Sequence, residues 1–451
     1  MARKSVAGRA AAATTTAPVQ PTPYLPGSGN AGYGVDSYDL LLRYRVSTNR
    51  LEGTATIVCT STALLKKVVL DLSRLTATKV RMPGAKVARF SQAPGKLTII
   101  PATPIASGTS FTLAIEYAGS PAPRRSTWGL VGWEELADGV LVAAQPSGAP
   151  TWFPCNDDVA DKASYDIRIV TEQAYTVLCN GVLKDHRNLA GFGHWHYQQP
   201  EPTPTYLATL QLGRYERRSV ELGTVPGVLA YPRALESRVL ADFATLPAMM
   251  EMLEGYFGTY PFDAYTIVVT PDDLEVPLEA QGMALFGANH IDGHGGGERL
   301  IAHELAHQWF GNSVGLITWK DIWLNEGFAA YCEWLWSEHS GGPSADTLAA
   351  RARRLVASQR LDITIGDPGP ALMFDDRVYK RGALTVHALR RTMRDDAFFR
   401  MLRAWTTSHE HGSATTEEFI ALAASFSPEP VESLLRAWLF GTRLPRLPRL
   451  P

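Results

Sequence analysis

The sequence predicts a multidomain α+β protein, with an N-terminal all-β domain, a mixed α/β domain and a short helical C-terminal segment. Three observations carry this. A length of 451 residues exceeds one ordinary core and points to two or three domains. From about Tyr38 to Tyr215 the apolar residues recur with a period near two, in short runs. Beyond that stretch they recur mostly with a helical period, in longer runs. The expected divisions are a disordered tail over 1–22, the all-β domain over 23–215, the mixed domain over 216–400 and the helical segment over 401–451.

Each element follows from its local pattern. YDLLLRYRV, GTATIVCTST, KKVVLDL, KLTIIPA, SFTLAIEY, SYDIRIVT and YTVLCNGVL are β-rich runs separated by Gly, Pro, Ser or Asn, so each reads as a strand. VLADFATLPAMMEMLEGYFG has helical periodicity and stops at Gly258. YTIVVTP is a strand. RLIAHELAHQWF carries Leu300, Ile301, Leu305 and Trp309 at helical spacing, so a helix is expected over 300–310. It is entered through the flexible glycines 295–297 and stopped at Gly311 and Asn312. EGFAAYCEWLWSEHS predicts a second helix over 326–337. ADTLAARARRLVASQR, RGALTVHALRRTMR, DAFFRMLRAWTTSHE, TTEEFIALAASFS and PVESLLRAWLFG are helical as well, ahead of a Pro-broken RLPRLPRLP tail. Trp309, Trp319, Trp323, Trp334 and Trp336 read as core packing.

Composition narrows the function classes. With 45% hydrophobic and 20% charged residues the chain is a soluble globular type. A net charge of −2 supplies no pull towards nucleic acid or an anionic membrane, and no apolar run approaches bilayer length. The N-terminus starts basic but turns to Ala, Thr and Pro without a leucine-rich core. It makes a poor secretory signal, so a cytoplasmic location is expected, with a weak export signal as the alternative. None of the four cysteines forms a CxxC pair, which argues against a cysteine zinc site and for buried reduced thiols; a Cys155–Cys179 disulfide is left open. The glycines at 293 and 295–297 lack the lysine signature of a phosphate loop, and His290 and His294 read as stray surface histidines.

The chemistry concentrates in HELAH. Positions four apart share one face of a helix, so His303 and His307 can present two imidazoles to one ion, while Glu304 leans off that line. Eighteen residues separate His307 from Glu326, enough for a helix end, a loop and the start of a returning helix. Two histidines, a carboxylate and an open fourth position describe a catalytic zinc site rather than a structural one. An HExxH string arises by chance in about one such chain in a hundred; its glycine-rich entry, apolar stripe and defined stop weigh against chance here.

With HELAHQWFGN followed by WLNEGFAAY, the chain resembles the aminopeptidase N family, the gluzincin group that includes leukotriene hydrolase. The resemblance implies that His303, His307 and Glu326 hold one Zn2+ per chain and that Glu304 is the catalytic carboxylate. In VPLEAQGMALFG it places Glu279, 24 positions before His303, on the substrate's free α-amine, with Glu275 as the competing carboxylate. Pro277, Leu278 and Ala280 depart from the family pattern around that glutamate, and Pro277 removes a main-chain donor from a stretch that normally runs along the substrate as an edge strand. In QPSGAPTWFPCNDD, Gln145 stands eight positions before Phe153 and is the implied second amine ligand. In RVYKRGALTVHALR, the tyrosine of a Tyr-x-x-Gly helix start points to Tyr379 as the oxyanion donor. Asp321 and Glu333 are candidates for orienting the histidines.

The implied fold is a thermolysin-like zinc peptidase domain over 216–400. The implied function is a zinc-dependent aminopeptidase acting on peptides with a free N-terminus, with no nucleic-acid or membrane partner. The alternatives are a bifunctional epoxide hydrolase and aminopeptidase, or a non-catalytic scaffold of the same fold. The large helical domain that usually roofs the cavity in this family is expected to be missing or minimal.

Overall fold

Residues 24–449 are described by the computed structural model, so the tail expected over 1–22 lies outside the described residues. The alternation read from the sequence is what builds the N-terminal part. Lys162–Glu172 alternates half-buried and buried residues along its whole length, as a strand covered on one face does. It belongs to a seven-stranded sheet in the order Val182–Leu189, Phe192–Pro204, Lys162–Glu172, Tyr33–Arg45, Arg50–Ser61, Ser110–Gly119, Leu75–Arg81. The pairs are antiparallel except Tyr33–Arg45 with Lys162–Glu172, which run parallel with Leu40 opposite Ile167. A five-stranded sheet packs Val140, Val142, Leu210 and Leu212 into the same core as Leu40, Ile57, Ile115 and Ile167.

A second five-stranded sheet opens the mixed part, in the order Tyr215–Leu222, Val225–Pro232, Tyr265–Val269, Met283–Phe286, Leu278–Ala280. The last of these is an edge strand, and it carries Glu279. The expected long helix ending at Gly258 is two: α1 (Glu236–Asp242) and α2 (Leu246–Phe257). The break falls at residues 243–245, just ahead of a proline in the first turn of α2, where its missing N–H costs nothing. Gly258 does end α2, at φ 93°.

The metal helix α3 (Glu298–Ala306) ends before Phe310. After His307 the chain tightens to three-residue bonds, with Gln308 N–H donating to Leu305 O and Trp309 N–H to Ala306 O, both at 3.1 Å. α4 (Trp323–His339) starts ahead of the expected point and holds Glu326 in its first turn. α5 (Ala345–Ser358), α6 (Asp376–Met393), α7 (Asp395–Ser408), α8 (Thr416–Ser425) and α9 (Val431–Phe440) follow, α7 running across residue 400. The expected α+β class, with a β-rich N-terminal part and C-terminal helices, is the observed one.

Within the mixed part α4 and α6 cross with their backbones touching. A Cβ on Gly327 would stand 2.8 Å from Gly382 Cα, and one on Gly382 2.6 Å from Gly327 Cα, so both positions require glycine. Lys162 reaches out of the seven-stranded sheet, and its ammonium donates to the carbonyls of Asn312 (3.0 Å), Ser313 (2.9 Å) and Gly412 (2.6 Å). Burial pulls its pKa down, and these three carbonyls stand in for the water it has lost. Tyr206 and Leu207 also join the core that contains Trp309, Trp319 and Trp323. All five tryptophans named from the sequence are buried, as core packing requires. The four cysteines are free and buried, and the Cys155–Cys179 disulfide left open is not formed. Among the described residues no helix is long and apolar enough to cross a membrane.

Candidate active site

His303 and His307 project from α3 on one face, their rings 4.9 Å apart and steeply inclined at 76°. α4 returns Glu326 to the same point. Its Oε2 lies 3.6 Å from His303 Nε2 and 3.5 Å from His307 Nε2. A tetrahedral ion with bonds of about 2.0–2.2 Å sets its donors roughly 3.3–3.5 Å apart, so the carboxylate oxygen stands at the spacing a zinc-sized ion needs from each nitrogen, and all three donor atoms lie within 4.8 Å of one another. The opposite ring nitrogens are already engaged. His303 Nδ1 faces Glu333 Oε1 at 2.9 Å and His307 Nδ1 faces the Phe310 carbonyl at 3.1 Å, which directs both Nε2 atoms inward. The early end of α3 is what swings the Phe310 carbonyl back onto His307.

Electrostatics make the same demand. Burial works to hold His303 and His307 neutral, but Glu326 and Glu333 raise the first and Glu279 and Glu326 lift the second to about 9. Burial likewise works against ionised Glu326, yet the two imidazoles hold it down at about 2. Glu304 is pushed up to about 7, by burial first and then by Glu279 and Glu326, against the pull of the histidines. Three carboxylates crowded into one pocket form a field that a divalent cation would neutralise.

Glu304 stands apart from the triad, and its Oε2 is buried with no hydrogen-bond partner in the protein. Groups from Glu279, Glu304 and His307 lie within 4.8 Å of one another, so a second carboxylate faces the same space. Gln145 comes from the N-terminal part, and its Nε2 donates to Glu279 Oε1 at 2.6 Å. That bond leaves the Gln145 carbonyl oxygen free to accept. Glu275, the competing carboxylate, is exposed and does not line the cavity. Tyr379 sits in the first turn of α6, its ring nearly parallel to that of His303 at 6.1 Å. Burial raises its hydroxyl pKa well above the ordinary value, with Glu326 and Glu279 adding to it, so it stays a proton donor.

One cavity of about 460 Å³ is lined by Gln145, Glu279, His303, Glu304, His307, Glu326 and Tyr379 together. Every site residue named from the sequence is therefore in one place. Of the two orienting candidates only Glu333 reaches a histidine, and Asp321 instead accepts from Thr416 Oγ1 at 2.6 Å at the start of α8. Glu333 follows Glu326 by two helical turns on the same face, a signal present in the sequence. His290 and His294 do not line the cavity.

Gln308 and Asn312 had no assigned task. Gln308 Oε1 accepts from Gly282 N–H at 2.8 Å, while Gln308 Nε2 (3.2 Å) and Asn312 Nδ2 (3.0 Å) both donate to the Ala280 carbonyl. The end of the metal helix thus clamps the edge strand and sets Glu279 against the triad. Replacing Glu333 with Gln is expected to weaken divalent-ion affinity by about 10–100-fold, measured by competition with a chelator. Unchanged affinity would return Glu333 to a surface partner of Arg299, which it meets at 3.5 Å.

Comparison with known proteins identifies the family. The Peptidase M1 N-terminal domain matches residues 35–207 and the Peptidase family M1 domain matches residues 242–438. Human endoplasmic reticulum aminopeptidase 1 is 27% identical over 432 residues, covering 87% of this chain and 45% of its own length. Aminopeptidase N of Lactococcus lactis subsp. lactis is 27% identical over 314 residues, 64% of this chain and 37% of its own. The chain spans about half the length, or less, of the curated relatives it matches. Among solved structures, an M1 zinc metallopeptidase from Deinococcus radiodurans superposes with a TM-score of 0.86 at 29% identity, covering 94% of this chain and 97% of that one. A mutant of the Deinococcus enzyme bound to a Tyr-Ser-Ala substrate gives 0.87 at 28% identity, over 95% of this chain and 98% of that one. With its N-terminal and catalytic parts matched in order over most of its length, the chain belongs to peptidase family M1.

Proposed function

We propose that this protein is a zinc-dependent aminopeptidase that hydrolyses the first peptide bond of substrates with a free N-terminus. The observation that carries the reading is the Gln145–Glu279 pair, held beside the triad in the same cavity. An ammonium group docked there meets one carboxylate and one carbonyl oxygen. That places the bond one residue further along over the ion, which makes the reaction exopeptidic.

His303, His307 and Glu326 would hold the zinc, whose chemistry when bound is to polarise the scissile carbonyl and acidify water. Glu304 accepts the proton of the attacking water and passes it to the departing amine as the C–N bond breaks. Its partnerless Oε2 is free for that task. Tyr379 donates its hydroxyl proton to the oxygen that gains charge as the carbonyl is attacked. Val276 and Pro277 line the approach. Because Pro277 has no N–H, the edge strand offers the peptide one donor fewer there.

Hydrolysis of an aminoacyl-amide dye, compared with its N-acetylated form, tests the reading. Equal cleavage of both would end it. Glu279→Ala is expected to raise KM for free-amine substrates by about 10–100-fold, the loss of one charge-assisted contact of roughly 1.5–3 kcal/mol. An unchanged KM would remove Glu279 from amine binding. Arg299, Glu333, Asp376 and Lys380 in the lining argue against a channel for an apolar epoxide. The intact quartet His303, Glu304, His307 and Glu326 argues against a binding-only scaffold. Four reduced cysteines support a cytoplasmic location. We also read residues 23–215 as a separate β domain, on the strength of its own core.

A further inference from the structure

We propose that Arg381 is a positioning residue that fixes where the Tyr379 hydroxyl stands, by tying the start of α6 to the far end of α9. The proposal rests on the reading of Tyr379 as oxyanion donor. Arg381 is 1% exposed, and its hydrogen-bond acceptors are main-chain carbonyls rather than a carboxylate. Nε donates to Trp438 O at 2.8 Å. Nη1 donates to Ile363 O at 3.4 Å and Thr442 O at 3.5 Å, and Nη2 to Gly441 O and to Arg443 O at 3.3 Å. Four of these five carbonyls belong to the last turn of α9 and the residues just beyond it. The Trp438 carbonyl, in that last turn, has no intrahelical partner and carries the negative end of the helix dipole.

Geometry turns this cage into control of the tyrosine. Residues two positions apart on a helix lie about 200° apart around its axis, so Tyr379 faces the cavity while Arg381 grips the opposite side. The Gly327–Gly382 contact fixes how close α6 lies to Glu326, and Val378, Leu384, Val386 and Leu389 pack the helix into the core. The Arg381 fork adds a directional tie two residues from Tyr379, which apolar packing alone does not supply. A turn of ~10° would carry the tyrosine hydroxyl, some 9 Å from the helix axis, through about 1.5 Å. A displacement of about 1 Å in a catalytic donor is enough to cost on the order of 100-fold in rate. Lysine cannot replace the fork, because a compact ammonium has three donors and no plane to span carbonyls on both sides.

The test is a double-mutant cycle. Arg381→Lys and Arg381→Gln are made alone and in the Tyr379→Phe background, with zinc content and thermal midpoint measured for each. The expected result is a fall in kcat of about 10-fold or more at nearly constant KM in the parent, and almost no further fall once Tyr379 is already Phe. Equal falls in both backgrounds, a change confined to KM, or loss only of folded protein would overturn the proposal. A Tyr379→Phe enzyme with the parent's rate would instead overturn the oxyanion reading and take this proposal with it.

Discussion

Glu304→Gln is expected to lower kcat by about 10²–10⁴-fold while leaving zinc content and KM close to those of the parent. Gln has the same shape and size but cannot take up a proton, so the change removes the base and little else. The site tolerates the amide because Glu304 lies outside the His303–His307–Glu326 group and its Oε2 has no donor to lose. The amide also removes one negative charge from a pocket where Glu279 and Glu326 already repel it. Folding should therefore be unharmed or slightly improved. Steady-state kinetics with metal analysis on the same sample decides the matter. Peptidase activity retained within a few fold would show that another group accepts the proton.

Tyr379→Phe is the second large effect. Removing one donor to a developing oxyanion costs about 3–4 kcal/mol, which is on the order of 10²–10³ in kcat. The substrate's ground state does not use that hydrogen bond fully, so KM is expected to move little. Phenylalanine keeps the ring against His303, so the packing that surrounds the first ligand survives. The pairing of a large kcat loss with an intact KM separates this role from that of Glu279, whose loss acts on KM. A rate within two-fold of the parent would leave Tyr379 as a wall of the cavity.

The metal group was legible because shared coordination imposes spacing that shows in the chain itself: His303 and His307 are four apart and Glu326 returns after one loop. Glu279, Gln145 and Tyr379 came from the family resemblance alone, and they line the same cavity. What was not legible depended on helix phase and on long-range contact. Glu333 and Asp321 both flank Glu326 in sequence, but Asp321 precedes α4 in a short 3-10 turn and faces α8. The end of α3 at Ala306 was hidden because Trp309 continues the apolar period after the helix has tightened into turns. The strand Phe192–Pro204 is masked in the sequence because its alternation rests on Trp195, Tyr197 and Gln199 among histidines and prolines. The Arg381 cage joins residues some sixty positions apart through carbonyls, which no side-chain pattern reveals.

Lys162 has a consequence for how the molecule can move. Prying the β half from the loop after the metal helix would leave a buried ammonium facing nothing, a penalty on the order of several kcal/mol before water could reach it. The tie therefore opposes opening between the halves, while Val276 and Arg299, in the cavity lining, are exposed. Gln145 comes from the β side of that seam, and Glu279, to which it donates, from the side that carries His303, His307 and Glu326, so the tie holds the two facing groups in register.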